Sequence, residues 1–124
     1  MHLNKYGDRK LVGDRMKKRE IDLREGTLIL RLHDLKRRSA TLFKADLEEG
    51  RLYVKKKGKK LEILHEINRV PTNVEVDLSQ VDIDEIEELA ITWNVFTRKF
   101  CLYLNGEKLA ETELSYWESP SYIA

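Results

Sequence analysis

From Ile21 onward the chain alternates apolar and polar residues with a period of two, broken at short intervals by turn-forming residues. That pattern constrains the fold more than any other feature, because side chains on a strand point to opposite faces in turn. In Thr27–Leu35, Leu28, Leu30 and Leu32 share one face, and Thr27, Ile29, Arg31 and His33 the other. Lys36-Arg37-Arg38-Ser39 reads as a polar turn, and Ala40–Ala45 as a short strand around Leu42 and Phe43. Arg51–Lys56 sets Leu52 and Val54 on one face; after Lys57-Gly58-Lys59, residues Leu61, Ile63, His65 and Ile67 line up in the same way. Pro71 marks a loop or strand start, and Val74, Val76 and Leu78 alternate with Glu75 and Asp77. Ser79–Glu88 is the one stretch that reads as a helical turn. Leu89, Ile91 and Trp93 then alternate, as do Phe100, Leu102 and Leu104, and Asn105-Gly106 follows at once. Asn-Gly between alternating runs is the strongest short hairpin signal, since a type I′ turn needs positive φ at both central residues.

About eight strands at this spacing predict an all-β protein, an antiparallel sandwich or barrel. Strands with one polar face exclude an all-parallel sheet. With 124 residues the expectation is one domain, residues 21–124, after a charged segment, residues 1–20, that holds a short edge strand around Lys10-Leu11-Val12. Cys101 is the only cysteine, so no internal disulfide forms. No apolar run reaches the roughly 20 residues of a membrane helix, and residues 1–15 lack the apolar stretch of a signal peptide. The expected setting is therefore reducing and cytoplasmic, with no membrane partner.

The net charge of +1 hides an asymmetry: residues 1–60 carry +10 and residues 61–124 carry −9. That distribution argues against a uniformly basic nucleic-acid binder and against an acidic disordered tail.

Three stretches resemble a known family. Residues 23–32, Leu-Arg-Glu-Gly-Thr-Leu-Ile-Leu-Arg-Leu, are similar to the opening strand of concanavalin A-like, laminin G-like domains. Residues 89–94, Leu-Ala-Ile-Thr-Trp-Asn, resemble their central strand, and residues 102–110, Leu-Tyr-Leu-Asn-Gly-Glu-Lys-Leu-Ala, their closing hairpin. The resemblance implies a jelly roll of two antiparallel sheets, here shortened, with Trp93 as its core tryptophan and Asn105-Gly106 as its turn. The family spans lectins, glycosidase domains and adhesion modules, so it implies little about activity.

Several clusters invite a chemical reading. Arg31, His33, Thr92, Asn94 and Tyr103 point away from the apolar faces of their strands. Guanidinium, imidazole and amide groups beside an aromatic ring are what recognition of a sugar requires. Lys55, Lys56, Lys57, Lys59 and Lys60 cluster at one hairpin and Lys36, Arg37 and Arg38 at another, a basic patch able to contact phosphates. No aromatic platform is interleaved there, so nucleic acid ranks last among the partners. Asp82, Asp84 and Glu87 mimic the carboxylate spacing of retaining glycosidases on this fold, but they precede the Leu89–Asn94 strand and read as a solvated acidic loop. His2, His33 and His65 lie far apart, so neither a metal nor another cofactor is expected, and His65 falls in line with core residues. Tyr116, Trp117 and Tyr122 are expected to pack onto the chain itself. The function expected from these features is non-catalytic ligand binding, carbohydrate first. A protein–protein or self-assembly module is the alternative, and polyanion binding by the lysine hairpin comes third.

Overall fold

A computed structural model describes residues 11–12, 21–31 and 38–119. The elements are β1 (Leu11–Val12), β2 (Glu25–Arg31), β3 (Ser39–Asp46), β4 (Gly50–Lys57), β5 (Lys60–Ile67), β6 (Val70–Asp77), a 3-10 turn (Ile83–Glu85), β7 (Glu88–Asn94), β8 (Lys99–Leu104) and β9 (Glu107–Glu113). They form an all-β sandwich of two sheets. Sheet A has the order β1-β2-β7-β8-β9, and sheet B is the meander β3-β4-β5-β6. All pairings are antiparallel except the short β1–β2 contact. β1 lies where the edge strand of the N-terminal segment was expected; the rest of that segment is outside the described residues.

One apolar core fills the space between the sheets. Leu28, Leu30, Leu89, Ile91, Trp93, Phe100 and Leu102 enter it from sheet A, and Leu52, Val54, Leu61, Ile63 and Ile67 from sheet B. These are the residues that the period-two pattern puts on one face. Trp93 is 2% exposed and its indole N–H donates to the Asp22 carbonyl at 2.7 Å. Gly26 lies against it: a Cβ there would sit 2.7 Å from the Trp93 ring.

The turns follow from local chemistry. Gly58-Lys59 joins β4 to β5 with Gly58 at φ +61°, and Asn105-Gly106 joins β8 to β9 with φ values of 50° and 83°. The β5–β6 turn, Asn68-Arg69, also has both residues at positive φ, 50° and 69°, and carries no glycine. Pro71 lies in β6, an edge strand, where the missing N–H leaves no ladder bond unmade. Ser79–Glu88 contains the 3-10 turn, with Asp82 capping it by accepting the Asp84 N–H at 3.0 Å.

The C-terminal stretch closes one end of the sandwich. Leu114 is buried, Ser115 N–H donates to Thr72 Oγ1, and Tyr116 packs on the core. Glu118 accepts from Tyr116 Oη at 2.5 Å and from Arg24 Nε at 2.9 Å, and Arg24 also reaches Glu49 at 2.6 Å. Trp117 departs from the expectation: it is 54% exposed. Tyr122 lies outside the described residues.

Candidate functional site

The face of sheet A turned away from the core is set by register. Its rows run Glu25–Asn94–Lys99, Thr27–Thr92–Cys101 and Ile29–Ala90–Tyr103 across β2, β7 and β8. The middle row is made of small side chains, Thr27, Thr92 and Cys101, while longer ones stand on either side. The result is a cavity of about 560 Å³ with Thr27, Thr92 and Cys101 among its lining and Glu25, Asn94, Lys99, Tyr103, Lys108 and Glu111 around it. Thr27 and Cys101 are buried, 1% and 6% exposed. Beyond the cavity, Ile29 and Ala90 form a small buried cluster with Tyr103 packed against it.

β9 supplies one wall through a bulge. Tyr103 opposes Lys108 while Leu102 opposes Ala110, so Leu109 is the extra residue. Residues three apart on a regular strand point to opposite faces. The bulge removes that half-step and puts Lys108 and Glu111 on the same face, where they form an ion pair at 2.6 Å. The pairing holds the Glu111 carboxyl below its ordinary range and raises the Lys108 ammonium, chiefly through their hydrogen bond. Cys101 Sγ–H donates to the same Glu111 oxygen at 3.7 Å. Burial, and then the neighbouring Cys101, raises the Tyr103 phenol, so its hydroxyl keeps its proton at neutral pH.

No protein-family model, curated protein or solved structure matches this chain.

Three of the five residues read from the sequence as a ligand face, Thr92, Asn94 and Tyr103, line this one cavity. Arg31 is on the same face but opposite Glu88, two rows past the Thr27 row, and is exposed outside the lining. His33 lies outside the described residues. The Asn94 amide shapes the rim: its Oδ1 accepts from the N–H groups of Phe96 and Thr97 at 2.8 and 3.1 Å, and its Nδ2 donates to Glu25 at 3.2 Å. Glu25, Lys99, Lys108 and Glu111 were missed by the sequence reading. The first two lie in phase with Asn94 on neighbouring strands, a signal that needs the strand order to be seen.

Of the residues read as a basic patch, Arg38, Lys55, Lys57, Lys59 and Lys60 are exposed. Lys36 and Arg37 are outside the described residues, and Arg38 is exposed, its carbonyl accepting the Gly58 N–H at 2.6 Å. Lys55 and Lys57 point out from sheet B and Lys59 sits in the turn. Lys60 is bridged to Glu75 at 3.1 Å. Lys56 is the exception: 5% exposed, it follows the inward phase of Leu52 and Val54, and its Nζ donates to the Gly58 carbonyl at 2.6 Å.

Asp82, Asp84 and Glu87 lie on or beside the 3-10 turn rather than along a strand, so they do not share a strand face. Among the described residues no group of three or more His, Cys, Asp or Glu is placed to hold a metal, and no helix is long and apolar enough to cross a membrane. His65, in line with the core residues, is fully buried. Its Nε2–H donates to the Leu23 carbonyl at 2.8 Å, and its ring lies 6.4 Å from that of Trp93.

Proposed function

We propose that the chain is a non-catalytic binding module of a shortened concanavalin-like jelly-roll type. Its ligand is a small, hydroxyl-rich molecule, a carbohydrate unit first, held on the outer face of sheet A. The observation that carries this reading is that Thr92, Asn94 and Tyr103, from two adjacent strands, stand around one cavity with Lys99, Lys108, Glu25 and Glu111. Its volume of about 560 Å³ falls within the range of small-molecule sites. The lining supplies what a polyol needs. Lysine ammonium groups donate, the carboxylates of Glu25 and Glu111 accept, and the Tyr103 ring offers an apolar surface to a sugar's C–H face. Glu111, kept ionised by Lys108, serves as an acceptor rather than as an acid. A cytoplasmic setting belongs to the same reading and rests on the single cysteine.

The test is a glycan array read with the full chain, followed by titration of the best binder against amide resonances. Hits should move the Thr92, Asn94 and Tyr103 amides, and Tyr103→Ala or Lys108→Ala should weaken binding about tenfold, the ~1.4 kcal/mol of one good contact. A silent array, or binders that move only sheet B resonances, would rule the reading out.

A further inference from the structure

The outward face of sheet B is divided by charge along the direction of its strands. β4 turns Arg51, Lys55 and Lys57 outward, while β3 adds Lys44 beside Tyr53 and Asp46 beside Arg51, which balance. β5 and β6 turn Glu62, Glu66, Glu75 and Asp77 outward; within the chain Lys60 is already bridged to Glu75 and Arg51 to Glu66, at 3.1 and 2.6 Å, so the Lys55–Glu62 level carries the charge argument. On the dividing line, Tyr53 and Leu64 face each other in register and are half-buried. Lys44, Arg51 and Lys55 stand 5.4, 5.7 and 5.4 Å from the Tyr53 ring. Its hydroxyl donates to Asp46. A groove of about 370 Å³ runs from Tyr53 over Leu64 to Asn73. An apolar centre inside a charged rim is the anatomy of an association surface.

We propose that a second copy of this chain docks on this face, in an isologous pair whose two-fold axis lies in the interface, parallel to the strands between β4 and β5. Rotation about that axis swaps the two sides of the sheet and keeps each level along the strands. Because Lys55 pairs with Glu62, Tyr53 with Leu64 and Arg51 with Glu66 in register, β4 of one copy lies over β5 of the other. Lys55 then faces Glu62 of the second copy, Arg51 faces Glu66, and Tyr53 covers Leu64. Each contact occurs twice, as isologous symmetry demands. An axis across the strands would set cations on cations, so the charge division selects the first arrangement. The Lys57–Lys60 row falls at the rim, where the twist of two aligned sheets parts them. Strands of eight residues spaced ~4.8 Å apart, at ~3.3 Å per residue, give a face of about 500 Å² per copy. The pair then buries about 1,000 Å², the low end of specific interfaces. The association is reversible and weakens as salt screens the rim.

Charge reversal tests this with the full chain in sedimentation velocity, from about 1 to about 500 μM at low salt. The wild type should shift from monomer to dimer across that range. Lys55→Glu alone and Glu62→Lys alone, each checked for native circular dichroism, should weaken association by at least about tenfold. Mixing those two variants should restore a dimer, since each 55–62 contact between the two copies of the mixed pair is again between opposite charges. A wild type that stays monomeric to about 500 μM overturns the proposal and leaves the face to a different partner. A dimer indifferent to both single reversals, or a mixture that stays monomeric, overturns it equally.

Discussion

Acidification should unfold this protein earlier than its carboxylates alone would require, and His65 is the reason. The ring is 0% exposed, and burial pushes its pKa below the ordinary 6.5. Its Nε2–H is committed to the Leu23 carbonyl at 2.8 Å, so protonation would add a proton at Nδ1, which has no hydrogen-bond partner among the described residues. The unfolded chain, with a free imidazole, takes up that proton first. Between the lowered folded pKa and 6.5 the unfolded state therefore binds more protons, and stability falls as pH falls. Above about pH 6.5 the contribution is constant; below it, the loss approaches about 1.4 kcal/mol per pH unit until the folded pKa is reached. At pH 5.5 the loss is at most about 1.4 kcal/mol, or a few degrees in Tm for a chain of this size, the limit set by a ring that stays neutral throughout the folded state. Urea denaturation at pH 7.5, 6.5 and 5.5 measures it. The control is His65→Gln, whose amide still donates to Leu23 but does not titrate. His2 and His33 are present in both proteins and drop out of the difference. The variant should be less stable at pH 7.5, having lost the ring beside Trp93, and should show a shallower decline than the wild type towards pH 5.5. Equal slopes in the two proteins would refute the reasoning.

Gly26→Ala should destabilise by about 1–3 kcal/mol, because the new Cβ meets the buried Trp93 ring at 2.7 Å; urea midpoints report the loss. Gly50→Ala should cost more, about 3 kcal/mol, since its Cβ would fall 1.9 Å from the Glu66 carbonyl oxygen and backbone yields less readily than a side chain. If Gly50→Ala proves the milder of the two in the same measurement, the β4–β5 pairing is looser there than its register implies. Arg69→Gly should stabilise by about 0.5–1 kcal/mol, relief of left-handed strain at φ 69° outweighing the added freedom of the unfolded chain. A lower Tm would show that the arginine side chain contributes more than its backbone strain. Arg24→Ala should lower stability by about 1 kcal/mol by unclasping Glu49 and Glu118, with a smaller effect at 1 M salt.

Period two carried most of the fold into view. Leu28, Leu30, Leu52, Val54, Ile63, Ile91 and Leu102 each enter the core on the face that the alternation assigns them. What escaped is where the period slips. The Leu109 bulge, and a second one between Thr41 and Phe43, shift the phase by one residue. A single extra residue leaves no compositional mark. Lys108 and Glu111, three apart, therefore read as opposite-facing although they are paired at 2.6 Å. The Asn68-Arg69 turn was hidden because the glycine that positive φ favours is absent from it. Lys56 was legible in principle, being in phase with Leu52 and Val54, but the run Lys55-Lys56-Lys57 reads as a basic patch able to contact phosphates. Its stem lies inside while its ammonium reaches the Gly58 carbonyl. The cavity on sheet A depended on strand order: Thr92, Asn94 and Tyr103 were readable as outward-facing, but their meeting with Lys108 and Glu111 follows from β9 lying beside β8.

The charge asymmetry takes on its meaning through sheet B. The sequence changes sign near residue 60, from +10 before it to −9 after it. In the fold that point is the β4–β5 hairpin, Gly58-Lys59, at the middle of a four-stranded meander. A meander keeps sequence order as spatial order, so a boundary along the chain becomes a line down the sheet. β4 inherits the basic side and β5 and β6 the acidic side, while Lys44 and Asp46 balance on β3. Had the strands of sheet B been drawn from distant parts of the chain, the same composition would have mixed the charges and left no divided face. The division therefore has two separable causes, the position of the sign change and the meander topology. Moving the sign change would test them: Glu62→Lys with Glu66→Lys extends the basic half by one strand and leaves the topology alone. The doubly changed face then sets Lys55 and Arg51 against cations of a second copy, and association should vanish while stability, read by urea, falls by only about 1 kcal/mol from the lost Arg51–Glu66 pair. Unchanged self-association in that variant would mean that the divided face is not the surface on which copies meet.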